Sequence, residues 1–573
     1  MHRHPPTQSA LTFHSAHPAL PRASRLCAVL ALAMLTACVD RPGAAEQETG
    51  GTLIVSTPAE PTSLMPLFAD RSNTRQVSDL VFERLAELGP EMNTMGDGGF
   101  TPSLADSWTW SADSLQIEFA ISPAALWHDG ARVTAHDVAF TYTVAKDPRT
   151  GAYMRQPLAR IDSVTASDSL TAVVWFSERY PEQFFDAVEH VHIIPSHLLA
   201  DIPPAGLRSA PFGRAPIGSG PFRFSRWDAG QVVEVVANDD YHRGRPLLDR
   251  VAWTIVPDGT AAAARLFSGE ADLYEGILPE QVRQVEADPS LRLYTADGLA
   301  YAFIGFNFVT PSGEPHPMMR NRELRRAISR ALDREAMLRN VWDTLAVVPR
   351  GPFARALPDV DTTFATLEFN RVAAARTLDS LGWTGRDSDG FRTRAGRRLS
   401  FRLLVPSSSP PRVRMAVLAQ SQLREMGIHA NVETLEFNAF ISRVQAGDFD
   451  AYTGAWQLDG SPSGLRQTWF GNATDEMGGG NFQGYSNPLF EAYADSALWS
   501  WSPEARRAYL RTAYEIIVLD AAAVWLYEPL SIIGVHSRFR VPGLRSSGWW
   551  RDVSRWYVPA DKQLPRDRMQ ARQ

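Results

Sequence analysis

The chain has 573 residues, 44% of them hydrophobic and 21% charged, with a formal net charge of −7. That length exceeds what one core serves and implies two or three lobes, while the ordinary apolar content excludes a largely disordered chain. Lysine occurs only at Lys146 and Lys562, so nearly all positive charge is arginine, and no basic run argues for a nucleic-acid partner.

Arg22 and Arg25 precede an apolar run, 26–35, that is too short to span a bilayer as a permanent helix. Residues 1–37 are therefore expected to be a targeting segment. The run ends in Leu35-Thr36-Ala37-Cys38, which resembles a bacterial lipobox, in which the signal is cut before the cysteine and its thiol is acylated. Cys38 is the expected lipid anchor to a membrane, and Cys27 would leave with the signal, so no disulfide would remain. The removed piece carries Arg3, Arg22 and Arg25 and no acid, which leaves the exported chain more acidic. Residues 38–51, polar with Pro and Gly, read as a flexible tether. The expected place is the cell envelope, on the periplasmic or other extracytoplasmic face.

Folding is expected to begin at Thr52, where Leu53-Ile54-Val55 reads as a short strand before the turn-rich loop that holds Glu60. Residues 75–88 have Val77, Leu80, Val81, Arg84, Leu85 and Leu88 at helical spacing and predict a helix. In 104–146, Leu115, Ile117, Phe119 and Ile121 alternate with Gln116, Glu118 and Ala120, the period of a half-buried strand. His128-Asp129-Gly130 then turns the chain, and Thr134 with Asp137 forms a capping box for a helix along Val138, Ala139, Tyr142 and Val144 that Pro148 ends.

Residues 104–146 closely resemble the tryptophan-His-Asp-Gly segment of the family 5 extracellular solute-binding proteins, the peptide- and nickel-binding components of ABC importers. Local physics gives His128 and Asp129 a structural role. The resemblance implies an α/β, periplasmic-binding-protein-like fold of type II, with two lobes, an extra subdomain in the first lobe and the ligand cleft between the lobes. The implied division is 52–306 plus 530–573 for the first lobe, with the subdomain at about 90–204, and 307–529 for the second. The loop Glu60-Pro61-Thr62-Ser63-Leu64 matches the family's loop near the cleft, with Met65 where the family has Asp.

Farther along, His190, His192 and His197 lack the acids or cysteines that a transition-metal site would add, so no metal and no cofactor is expected. Pro216-Ile217-Gly218-Ser219-Gly220-Pro221-Phe222 has neither the Gly-Lys-Ser/Thr of a phosphate loop nor a third dinucleotide glycine. By resemblance it is the glycine corner before a buried strand of Val232, Val233, Val235 and Val236. Residues 261–269 predict a helix closed by Gly269, and 301–308 a buried aromatic strand. By resemblance that strand crosses between lobes, placing hinges near 306–309 and 529–534. Residues 322–339 read as one helix, and 370–383, 413–427 and 503–519 as further helices that alternate with strands at 401–405, 430–435 and 524–527.

Trp456-Gln457-Leu458-Asp459 matches the family's Trp-x-x-Asp segment, whose acid receives the ligand's α-ammonium in peptide-binding members. Asp459 is thus the expected amine anchor, with Trp456, Gln457, Tyr452 and Glu60 completing the ligand set and residues 451–455 pairing with a ligand backbone. Gly460 replaces the family's tyrosine, and Asp459 as a simple cap of the turn Asp459-Gly460-Ser461-Pro462 stays open as the alternative. No hydrolytic motif is present, so catalytic residues are not expected. The implied protein is a monomeric, lipid-anchored receptor that delivers a peptide to an importer permease. An oligosaccharide or other solute, given sixteen tryptophans, and a signalling or scaffolding role without a transporter remain alternatives.

Overall fold

The computed structural model describes residues 50–69, 71–155, 157–471 and 479–567. The expected signal segment, Cys38 and residues 38–49 of the tether lie outside them. Gly50 and Gly51, assigned above to the tether, belong to the fold instead: Gly50 N donates to Leu247 O at 2.7 Å and Gly51 N to the Asp249 carboxylate at 3.2 Å. Gly51 has φ +113°, and a Cβ there would meet Val558 at 2.7 Å, so glycine is what the packing requires.

Two sheets carry the architecture. The first has seven strands in the spatial order Leu291–Ala296, Ser531–His536, Leu273–Tyr274, Thr52–Thr57, Arg250–Ile255, Val232–Ala237 and Phe222–Asp228. Thr52–Thr57 pairs in parallel with both neighbours, and Arg538 ties this region to the chain end, donating to Asp272, to Asp567 and to Thr52 O. In Val232–Ala237, Val233, Glu234 and Val235 are buried while Val232 and Val236 are half-buried, so one face carries a buried charge and the strand is not apolar on both faces.

The second sheet has six strands in the order Ala346–Val347, Ala523–Pro529, Ala300–Phe306, Ala451–Gln457, Ser400–Pro406 and His429–Leu435. Apolar clusters cover both of its faces, one around Ile304, Leu403 and Val405, the other around Phe303, Tyr452 and Trp525. Burial on both sides explains why its central strand Ala300–Phe306 reads as a nearly continuous apolar run.

A four-stranded antiparallel sheet, Ala105–Trp110, Gln116–Ile121, Thr171–Phe176 and Ile161–Ala166, forms the subdomain of the first lobe. Ile117, Phe119 and Ile121 point inward, and Glu118 and Ala120 outward. The helix Ala135–Lys146 begins at the Thr134–Asp137 capping box, with Thr134 N donating to Asp137 at 2.8 Å. His128 clamps the glycine corner: Gly218 N donates to Nδ1 at 3.2 Å and Nε2 donates to Gly220 O at 3.0 Å. Burial pushes His128 down to about 4, so it holds this corner as a neutral ring. A Cβ at Gly218 would fall 1.8 Å from Val81 O, which is why the corner can rest on a helix end.

Three expectations are corrected. The helix at 75–88 is Ser72–Val81, because Phe82 turns extended where that corner abuts Val81, and Ala86–Leu88 is a strand. The single helix at 322–339 is two, Arg322–Ala331 and Arg334–Trp342, because Asp333 caps the second by accepting from Ala336 N at 2.9 Å. The strand expected to cross between lobes, Ala300–Phe306, lies wholly in the second sheet, hydrogen-bonded on both edges. The first boundary therefore moves from 306/307 to 297–299, and the chain returns at residue 530. The two passages touch: a Cβ on Gly298 would lie 2.2 Å from Pro529 O.

Candidate functional site

Beside these passages a cleft opens between the lobes as two adjoining pockets of about 280 and 760 Å³. Arg75, Gln457, Leu458 and Asp459 line both pockets, and Trp456 and Phe482 line the larger. Asp459 follows the strand Ala451–Gln457 at the point where that strand leaves the core. One carboxylate oxygen accepts from Ser461 N at 2.9 Å, which is the turn-capping role. The other oxygen has no hydrogen-bond partner among the described residues, so capping leaves half the carboxylate available. Asp459 is exposed to the cleft yet ringed by protein, and that enclosure raises its pKa against the opposing pull of His190 and the Ser461 amide.

Trp456 packs over Gly480 and stacks on Phe482 with centroids 6.2 Å apart, and Gln457 is exposed to the cleft. Two expected ligand residues lie elsewhere. Tyr452 is buried among Phe303, Phe440 and Phe449, its hydroxyl 3.3 Å from Gln483, because the strand is covered on both faces until Gly454. Glu60 lines neither pocket; it accepts from Trp227 Nε1 at 2.7 Å and Gly230 N at 3.2 Å and so holds the hairpin of the first lobe. Ala451 and Tyr452 are paired on both edges, the Thr453 carbonyl accepts from Arg412 at 3.4 Å and Gly454 is buried, so among the described residues the strand edge comes free only at 455–457, four residues later than expected.

Most charges of the first-lobe wall are paired with one another. Trp550 Nε1 donates to Asp79 at 2.7 Å, Arg84 donates to it at 3.3 Å and His192 lies 2.9 Å away. Burial would push the Asp79 carboxyl up, but Arg84, His192 and Arg551 together hold it well below the usual range. Arg551 bridges Glu189 at 2.6 Å and Glu87 at 2.7 Å, and Glu189 is held at about 2 against its burial by Arg551 and Arg84. Glu275 accepts from Gln76 and from Trp549. Sequence reasoning missed this wall because its members come from helix, loop and chain end, with no shared spacing.

A second interlobe contact is fully enclosed. Arg506, on the helix Pro503–Leu519, donates to Glu182 of the subdomain at 2.6 Å and to Asp359 at 2.7 Å. Its side chain is 0% exposed and that of Glu182 5%. Ser461 Oγ donates to the other Glu182 oxygen at 2.7 Å, so this serine joins the enclosed ion pair to Asp459. Gly460 explains the missing tyrosine: a Cβ there would lie 2.9 Å from Leu88 and 3.4 Å from Thr94 of the first lobe.

The three histidines do not converge. His190 pairs with Asp186, His192 with Asp79 and His197 with Asp129, and among the described residues no group of His, Cys, Asp and Glu could hold a metal ion.

A family model described as bacterial extracellular solute-binding proteins, family 5 Middle, matches residues 99–476. The oligopeptide-binding protein AppA of Bacillus subtilis (strain 168) is 29% identical over 454 residues, covering 76% of this chain and 80% of that protein. The solved structure of AppA from Bacillus subtilis in complex with a nonapeptide is similar with a TM-score of 0.77 at 25% identity, over 90% of this chain and 100% of that one. NikZ from Campylobacter jejuni, in complex with Ni(L-His), shares the fold with a TM-score of 0.76 at 22% identity, over 88% of this chain and 99% of that one. Among the described residues no helix is long and apolar enough to cross a membrane.

Proposed function

The chain belongs to the bacterial extracellular solute-binding proteins of family 5, with a two-lobed α/β fold of the periplasmic-binding-protein type II class, and we propose that it captures a peptide between the lobes for delivery to the permease of an ABC importer. The observation that carries this reading is Asp459, a carboxylate with one oxygen free, placed in the interlobe cleft beside a strand that comes to the surface unpaired on one edge at 455–457. An α-ammonium would take the free oxygen, and the ligand backbone would add a strand to the open edge, with Trp456 and Gln457 beside it. Capture of this kind reads main chain and terminus, and tolerates varied side chains.

The lobes move as bodies about the passages at 297–299 and 530, and a ligand touching both stabilises the closed arrangement by its differential contacts. No chemical step is required. Acylation of Cys38 would hold the monomeric receptor at the extracytoplasmic membrane surface, with the preceding residues removed and residues 39–49 as the tether.

Calorimetry with free and N-acetylated peptides tests the anchor. Asp459→Asn is expected to weaken binding of free peptides by about 2 to 5 kcal/mol, the cost of removing one member of an enclosed charge pair. N-acetylated peptides should bind the wild type weakly and be indifferent to the substitution. Equal binding of both forms, before and after the change, would make the amine anchor wrong.

A further inference from the structure

The cleft wall contains a guanidinium with nothing to hold. Arg75 lies on the helix Ser72–Val81, is half-buried, and lines both pockets. Helical spacing would pair it with Asp79, one turn on. Asp79 is already engaged by Trp550, Arg84 and His192. The neighbouring acids are engaged as well, Glu189 by Arg551 and Glu275 by Gln76 and Trp549. The Arg75 side chain has no ion-pair or hydrogen-bond partner among the described residues, and its Nε is shut away from solvent without an acceptor.

An enclosed charged donor without an acceptor is costly, and the arrangement persists where something else supplies the acceptor. The guanidinium fork matches a carboxylate through two parallel hydrogen bonds. Ser72, the first residue of the same helix, also lines the smaller pocket, so the positive end of the helix dipole adds to the field there. Asp459 lines the same two pockets and has an oxygen to spare; Glu189, which lines only the smaller pocket, keeps one oxygen unbonded but is held by Arg551 through the other. Cation and anion thus stand uncommitted at the junction of the pockets.

We infer that Arg75 receives a carboxylate of the bound solute, so that the cleft selects ligands carrying an anionic group near the amine held by Asp459. This rests on the peptide reading of the cleft and adds a charge requirement to it. The carboxylate is either the ligand's own C-terminus or an acidic side chain, and both present the same two oxygens.

The test uses oligoalanines from tripeptide to nonapeptide, each as free acid and as C-terminal amide, together with the amides of Ala-Glu-Ala and Ala-Gln-Ala. Binding is followed by native mass spectrometry and calorimetry on the wild type, Arg75→Gln and Arg75→Lys. Both variants should fold as the wild type does, since Arg75 makes no side-chain bond that the change removes. The wild type is expected to prefer acid over amide, or Glu over Gln, by about ten- to a hundredfold. Arg75→Gln should abolish that preference and Arg75→Lys keep part of it. The first pair of probes reports a C-terminus and the second a side chain. Wild-type binding that ignores both differences, or a preference that survives Arg75→Gln, overturns the inference and leaves the peptide reading standing. If no peptide binds, citrate is the remaining probe: thermal stabilisation of the wild type and not of Arg75→Gln supports the inference while the peptide reading fails. No response to citrate would end both.

Discussion

Where Arg506 meets Glu182, and in the cleft that Arg75 and Asp459 share, the same two lobes come together with their charges in opposite condition. Arg506 donates to two carboxylates, and Glu182 accepts from Arg506, Thr94 and Ser461, with Arg506 and Glu182 out of water. The Arg75 side chain and the free oxygen of Asp459 have no partner among the described residues and line pockets open to solvent. Such an enclosed pair adds little net stability, because desolvation offsets its attraction, but its geometry is specific and losing one member is severe. The cleft charges, in contrast, can give their whole interaction to a ligand without first breaking a protein bond. The fold thus separates the task of registering the lobes from that of recognising a solute, with Ser461 linking the two.

The sharpest way to break this comparison is Arg506→Met, which leaves the Glu182 carboxylate enclosed without its cation. Urea unfolding should show a loss of about 3 to 5 kcal/mol. A loss under about 1 kcal/mol would mean that water reaches this pair as it reaches the cleft, and the contrast would disappear.

Gly460→Tyr acts on the approach of the lobes and not on any charge. With a Cβ at 460 already 2.9 Å from Leu88, a ring has no room while the lobes are together. Each lobe keeps its own core, so the unfolding midpoint should change little. Ligand affinity should fall by about 1 to 3 kcal/mol, the usual scale of overpacking, and small-angle scattering should show a larger particle. Unchanged scattering would show that the lobes do not close on this glycine.

The parts of this architecture legible in the sequence are those set by local rules. Thr134 and Asp137 announce a helix start, the alternation through Ile117 and Phe119 a half-buried strand, and Gly269 a helix end at φ +75°. The cap at Asp333 is hidden in the sequence because an apolar stripe runs through it, and the lobe boundary is not legible because an aromatic strand looks alike on either side of a crossing. Within the site, the motif ending in Asp459 led to the cleft. Tyr452 lies on that same strand yet is sealed beneath the far-side helices, and Glu60 is engaged by a hairpin more than a hundred residues away in sequence, at Trp227. Arg75 was invisible for a related reason: in sequence it has an obvious partner in Asp79, and only the arrival of Arg84, His192 and Trp550 leaves it single.

The smallest effect is the pH dependence of amine binding, and it separates the two regions by a different variable. Enclosure raises the Asp459 pKa, His190 and the Ser461 amide pull it down, and Glu182 and Glu189 push it up again. His190 is itself raised, because Asp186, Asp459 and Glu189 outweigh its burial. A bound ammonium favours the ionised carboxylate, so affinity is full above the Asp459 pKa and declines as pH falls through it. Because that pKa is raised, the decline begins above the pH at which an ordinary aspartate would start to protonate. The decline is bounded by about tenfold per pH unit for one proton. His190 also gains charge as the pH falls and repels an ammonium, so the wild type alone does not separate the two. His190→Gln does: removing the imidazolium lets the Asp459 pKa rise further, and the decline should move to higher pH. Calorimetry of a free oligoalanine at several pH values, with its N-acetylated form as control, reads the effect directly. A decline that vanishes in His190→Gln, or that the acetylated peptide shares, would assign the titration to His190 or to closure and remove Asp459 from the role of amine partner.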